Sequence, residues 1–124
     1  MLKSGYPKEA LSNFDRALEI NPNYEVAWSN KGVALKELRR FEEALDCYGR
    51  ALEVNPRYFE AWSNKGAALE SLNRMEEAIT CFDHALSLNA QDAKIWYNKG
   101  IALERLSRHQ NALDCFERAL HLNP

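Results

Sequence analysis

The sequence predicts an all-α solenoid of about seven helices, and three observations carry that prediction. The stretch Ala27-Trp28-Ser29-Asn30-Lys31-Gly32 returns as Ala61-Trp62-Ser63-Asn64-Lys65-Gly66 and as Ile95-Trp96-Tyr97-Asn98-Lys99-Gly100, each copy 34 residues after the last. A period of that size marks one supersecondary unit stacked on itself, since so short a unit cannot bury its apolar face alone. Within each period apolar residues recur at helical spacing, without strand alternation. Asn-Pro pairs at Asn21-Pro22, Asn55-Pro56 and Asn123-Pro124 then close successive units.

Taken in order, residues 7–21 read as the first helix. Pro7 suits its first turn, and Ala10, Leu11, Phe14, Ala17, Leu18 and Ile20 form an apolar stripe. Asn21-Pro22-Asn23 stops it, because proline lacks the amide donor and restricts the residue before it. A second helix over about 25–38 carries Ala27, Trp28, Lys31, Ala34, Leu35 and Leu38 on its packing side. After a break at Arg39-Arg40, a third runs over about 41–54 with Ala44, Leu45, Tyr48, Ala51 and Leu52 inward. The pair repeats as 60–72 with 76–88, and as 94–106 with 110–122, broken at Asn73-Arg74 and Ser107-Arg108. Ala90 stands where the other turns carry proline, so the turn 89–92 is expected to be less rigidly specified. The organisation is one solenoid domain: a lone second helix of an incomplete repeat in 1–24, then repeats over 25–58, 59–92 and 93–124, the last without a C-terminal capping helix.

Small residues explain how the pairs close. Gly32, Gly66 and Gly100 each cost about 1 kcal/mol in mid-helix relative to alanine, so their recurrence marks close helix approach. Ala44, Ala78 and Ala112, then Ala51, Ala85 and Ala119, do the same on the second helix of each pair. Phe14, Tyr48, Phe82 and Phe116 fill the space between, facing the tryptophans. Cys47, Cys81 and Cys115 also sit at one repeat position. Neighbouring helices are displaced by roughly 10 Å, beyond the reach of a disulfide or a shared metal, so these are packing residues whose free thiols suit a reducing compartment.

Trp28, Gly32, Ala44, Tyr48, Ala51 and Pro56, with Trp62, Gly66, Ala78, Phe82 and Ala85, and with Trp96, Gly100, Ala112, Phe116, Ala119 and Pro124, resemble the tetratricopeptide repeat. The resemblance covers essentially the whole chain. Two departures recur: Leu35, Leu69 and Leu103 replace a frequent tyrosine, and Lys31, Lys65 and Lys99 replace the usual leucine. The lysine stems can cover apolar surface while the ammonium reaches water; the alternative is a basic ridge beside a groove.

The resemblance implies a right-handed α-solenoid of antiparallel helix pairs, whose first helices line a concave groove for peptides or partner helices. The groove residues it implies are Ser29, Asn30, Val33 and Glu37, with Val26 and Lys36; Ser63, Asn64 and Ala67, with Glu60, Glu70 and Ser71; and Lys94, Tyr97, Asn98, Ile101 and Arg105, with Glu104. Asn30, Asn64 and Asn98 form a row. An asparagine amide offers an acceptor and two donors, which suits the backbone of an extended peptide. The repeats of O-linked N-acetylglucosamine transferases are similar, with asparagine at this place; the competing role is a buttress of the adjacent helix. A carboxylate clamp is not supported, because Ser29, Val33 and Asn98 stand where that clamp carries other residues.

Other function classes lack their residues. His84, His109 and His121 fall at unrelated repeat positions, with no metal-ligand spacing, and there is no phosphate loop or nucleophile elbow. No catalytic residue, metal or cofactor is expected. The acidic pairs Glu42-Glu43 and Glu76-Glu77 read as solvated residues at helix N-termini. A net charge of −2 and mixed charges along the expected groove argue against nucleic acid or an anionic membrane. No apolar run reaches membrane-span length. The sequence therefore predicts a non-enzymatic, cytoplasmic interaction module for an unidentified protein or peptide, with a purely structural spacer as the alternative. Self-association through the uncapped solenoid ends is expected, because arrays of this kind need polar terminal repeats.

Overall fold

The computed structural model describes residues 7–124, which form seven α-helices and no strand. They are α1 (Pro7–Ile20), α2 (Glu25–Glu37), α3 (Phe41–Val54), α4 (Phe59–Ser71), α5 (Met75–Leu88), α6 (Ala93–Arg105) and α7 (His109–Leu122). Each observed end lies within about one residue of the sequence reading, the margin expected where helix ends fray. The part of the incomplete repeat before Pro7 lies outside the described residues.

Two kinds of interface alternate along the stack. Within a repeat, α2 packs on α3, α4 on α5 and α6 on α7; between repeats, α1 meets α2, α3 meets α4 and α5 meets α6. The first helices also approach one another, α2 to α4 and α4 to α6, whereas the backbones of α1, α3, α5 and α7 do not. Helices that converge on one side and splay on the other curve the stack. The first helices therefore lie on the concave side.

The glycines set how tightly each pair closes. A Cβ on Gly32 would lie 2.5 Å from the Tyr48 ring, on Gly66 2.6 Å from Phe82, and on Gly100 2.5 Å from Phe116. The aromatic of each second helix thus rests directly on the glycine of its own first helix. Tyr48 and Phe82 are fully buried there. Tyr48 differs in one respect: its hydroxyl is buried without a hydrogen-bond partner.

The turns use chemistry that recurs without glycine. Arg39, Asn73 and Ser107 adopt left-handed backbone with φ of 63°, 61° and 61°. In each case the amide of that residue and the one after it fold back onto the helix, as in Arg39 N–H to Lys36 O at 2.9 Å and Arg40 N–H to Leu35 O at 2.8 Å. That is the Schellman closure, which usually places glycine at the left-handed position. At the other turns Asn21, Asn55 and Asn89 each accept a bond from the amide two residues on. The turn at Ala90 keeps this geometry without proline. It gains a cap in place of the lost rigidity, since Asp92 Oδ1 accepts from Lys94 N–H at 3.0 Å, while Tyr24 and Tyr58 offer no side-chain cap.

The acidic residues at the second-helix starts do more than face solvent. Arg40 pairs with Glu43 at 2.6 Å and Arg74 with Glu77 at 2.7 Å, both over one turn. Arg108 reaches Glu76 of the preceding repeat at 2.6 Å, so that carboxylate ties two repeats together.

Candidate functional site

The groove is built where α4 crosses its neighbours on the concave side. Ser63, Asn64, Ala67, Lys94, Asn98 and Arg105 line one depression of about 470 Å³, together with Lys36, Glu70 and Ser71. The structure thus gathers part of the expected set, mostly from the second and third repeats, around one polar hollow. Asn30, Val33, Glu37 and Ile101 lie outside it. Tyr97 lines a separate, more apolar hollow against α7 with Lys94 and Phe116, its ring 5.6 Å from that of Phe116.

Ser29 departs from its expected place. It is 2% exposed and offers no surface to the groove, whereas its counterpart Ser63 is half-buried and lines the hollow. The Ser29 hydroxyl is close enough to the Tyr58 phenol, in the turn before α4, to act on it, and it pulls that phenol downward. Burial, followed by the Glu60 charge, pushes that phenol upward from its ordinary range.

The asparagine amides are uncommitted. None of Asn30, Asn64 and Asn98 makes a side-chain hydrogen bond among the described residues, and none is a buried orphan. Asn64 and Asn98 bring these amides to the polar hollow.

Charge in the hollow is mixed with a cationic surplus. Lys36, Lys94 and Arg105 surround the single carboxylate of Glu70, and Arg105 reaches that carboxylate only at 4.0 Å. Burial lowers the Lys36 ammonium and Lys94 lowers it further, against the opposing pull of Glu70 and Glu37. Burial likewise raises Glu70, although Arg105 and Lys36 act to lower it. Both shifts mark partial desolvation, the condition under which an added anion interacts most strongly.

The lysine row lies elsewhere and is committed. Lys31 Nζ pairs with Asp15 at 2.8 Å and Lys99 Nζ with Asp83 at 2.6 Å, each bridging a first helix to the second helix of the preceding repeat. Every one of these ammonium groups also sits over the tryptophan one turn earlier, at 5.6, 5.4 and 5.6 Å from the ring. They form no basic ridge beside the groove. Each indole has a second neighbour over its ring, Arg50 on Trp28, His84 stacked at 4.2 Å on Trp62, and Arg118 on Trp96. Each indole N–H donates to a turn carbonyl, of Pro22, Pro56 and Ala90. Lys65 is the exception in the row: Gly49 stands where Asp15 and Asp83 do, and Lys65 has no ion pair among the described residues. The recurrence of aspartate 16 residues before lysine in two repeats was the sequence signal for this pairing.

Cys47, Cys81 and Cys115 are buried free thiols, as packing residues should be. Burial pushes the Cys47 thiol up to about 11 and raises the other two, so all three stay protonated at neutral pH. No group of three or more His, Cys, Asp or Glu residues suited to a metal occurs among the described residues. No described helix is long and apolar enough to cross a membrane.

Comparison with known proteins agrees with this architecture. The family model described as tetratricopeptide repeat matches residues 26–58, 59–92 and 93–124. An uncharacterised protein of Methanocaldococcus jannaschii is 49% identical over 39 residues, a match spanning 32% of this chain and 45% of that relative. Among solved structures, one of MamA superposes with a TM-score of 0.90 at 21% identity, covering 95% of this chain and 69% of the other. MamA from Desulfovibrio magneticus RS-1 superposes at 0.87 and 24% identity, covering 95% and 67%. At that identity the likeness speaks to fold alone, the right-handed stack of antiparallel helix pairs.

Proposed function

The chain belongs to the tetratricopeptide repeat family, whose repeats serve protein–protein interaction, and we propose that its concave groove holds an extended peptide segment of a partner protein. The observation that carries this reading is the pairing of an uncommitted asparagine row with a partly desolvated, cationic hollow. Asn30, Asn64 and Asn98 bond to the peptide backbone, which gives grip with little demand on sequence. Lys36, Lys94 and Arg105 add a preference for an acidic side chain near Glu70, worth more there than on open surface because the site is half-dry. The flanking Ser63, Ser71, Ala67 and Ile101 tune fit, and Tyr97 offers an aromatic platform at one end of the groove. Buried thiols without disulfides suit work in a reducing compartment such as the cytoplasm.

Selection from a displayed library of random twelve-residue peptides tests this. Enriched sequences should be rich in Asp and Glu, and their synthetic versions should bind the Asn30→Ala, Asn64→Ala, Asn98→Ala triple variant at least about tenfold more weakly, roughly one lost hydrogen bond per repeat. Enriched peptides that bind the triple variant with unchanged affinity would overturn the asparagine assignment. A library that yields nothing above background would favour a spacer whose groove is empty.

A further inference from the structure

Lys31, Arg40, Arg74, Lys99 and Arg108 each meet a carboxylate at 2.8 Å or closer. The three cations of the polar hollow do not. Lys36 and Lys94 have no ion pair among the described residues, and Arg105 has only Glu70, at 4.0 Å. They converge from both sides of α4, Lys36 from α2 and the other two from α6. Like charges that share a space oppose one another, and Lys36 registers it: the Lys94 charge adds to burial in lowering its ammonium.

The surplus sets the charge of the group that fits. Glu70 is the single carboxylate lining the hollow, so three cations leave two positive charges unbalanced. Glu37, which also acts on Lys36, lies outside it. An aspartate or glutamate brings one negative charge and two oxygens in a plane. A phosphate monoester brings close to two charges at neutral pH and three acceptor oxygens, one for each cation. The Asn64 and Asn98 amides line the same hollow, where backbone on either side of such a residue would pass.

We infer that the hollow selects a phosphorylated serine or threonine in the peptide it holds, in preference to aspartate or glutamate. This rests on the peptide-groove reading and names the anchor within it. Lys36, Lys94 and Arg105 take the phosphate oxygens, and with the Glu70 carboxylate in place two further negative charges neutralise the hollow. A phosphoinositide headgroup offers the same chemistry, but the hollow lies on the concave side, which a flat bilayer reaches poorly.

The test uses four synthetic libraries of twelve-residue peptides, alike except for a central phosphoserine, aspartate, glutamate or serine, offered to the intact 124-residue protein. Purified members of the phosphoserine pool should bind at least about tenfold more tightly than their aspartate or glutamate versions, the worth of one further charge-assisted contact. Lys36→Gln and Lys94→Gln, made separately, should each cut that ratio about threefold, and each relieves a like-charge contact, so both should melt no lower than the parent. Phosphoserine and aspartate peptides that bind alike would overturn the inference while leaving the groove a peptide site. Failure of all four pools would overturn both readings. A ratio unchanged in both variants would put the anion elsewhere, and binding confined to phosphatidylcholine vesicles carrying phosphatidylinositol phosphate would make a membrane the occupant. Either result overturns the inference as well.

Discussion

Asn30 and Lys31, with their copies at 64 and 65 and at 98 and 99, are neighbours in sequence and equally periodic, yet the fold uses them in opposite ways. The lysines turn toward the preceding repeat, where two meet aspartates and all three cover tryptophans. Asn64 and Asn98 line the polar hollow, and none of the three asparagine amides makes a side-chain hydrogen bond among the described residues. Strict repetition therefore does not say whether a polar residue is already paired within the fold. What distinguishes the two rows is whether the polar group already has a partner.

The comparison depends on the glycines that aim both rows, and breaking one gives the largest effect. Gly66→Ala should destabilise by about 1–3 kcal/mol, because the new methyl meets the buried Phe82 ring and overpacking outweighs the helix-propensity gain. Gly49→Ala should do the reverse, stabilising by up to about 1 kcal/mol, since nothing lies within 4 Å of its added Cβ. Denaturant melts of the two variants should move to opposite sides of the parent. If Gly66→Ala is neutral or stabilising, close helix approach does not set the orientation of the first helices.

An orphaned polar group in the core offers the next contrast, because it resembles the asparagines in lacking a partner but has no route to a ligand. Tyr48→Phe should stabilise by about 1 kcal/mol by removing a buried hydroxyl without a hydrogen bond, as Phe82 and Phe116 already do in their repeats. A loss of stability would mean that the hydroxyl is satisfied in solution. The smallest effect is expected from giving Lys65 its missing partner. Gly49→Asp should be more stable than Gly49→Asn, its neutral isostere of similar helix propensity, by only a few tenths of a kcal/mol at low salt, and the excess should vanish at high salt. An excess indifferent to salt would count against the ion pair.

Much of this arrangement was legible from the residues. The period, the Trp/Gly/aromatic code and the Asn-Pro stops placed all seven helices within about a residue, because each is a local signal repeated three times. The left-handed Arg39, Asn73 and Ser107 were not legible, since only one of the three is a residue type that favours that conformation and none is glycine. In the groove, the grouping of Ser63, Asn64, Ala67, Lys94, Asn98 and Arg105 followed from helical spacing once the concave side was known. Burial of Ser29 did not, because spacing within one helix carries no information about neighbours outside it, such as Tyr58 in the turn before α4. The lysine partners were visible as a repeated 16-residue offset, but only pairing across the interface gives the offset a meaning.

Thermal unfolding of two triple variants, side by side, tests the division between the rows most directly. Asn30→Ala, Asn64→Ala, Asn98→Ala should melt at or slightly above the parent temperature, because no bond is lost and alanine is the better helix former. Lys31→Ala, Lys65→Ala, Lys99→Ala should melt lower by roughly 5–15 °C, from lost ion pairs, cation–π contacts and stem packing of about 1 kcal/mol per site. An asparagine variant that melts as low as the lysine variant would show that the amides hold the array together, and would contradict their assignment to a ligand.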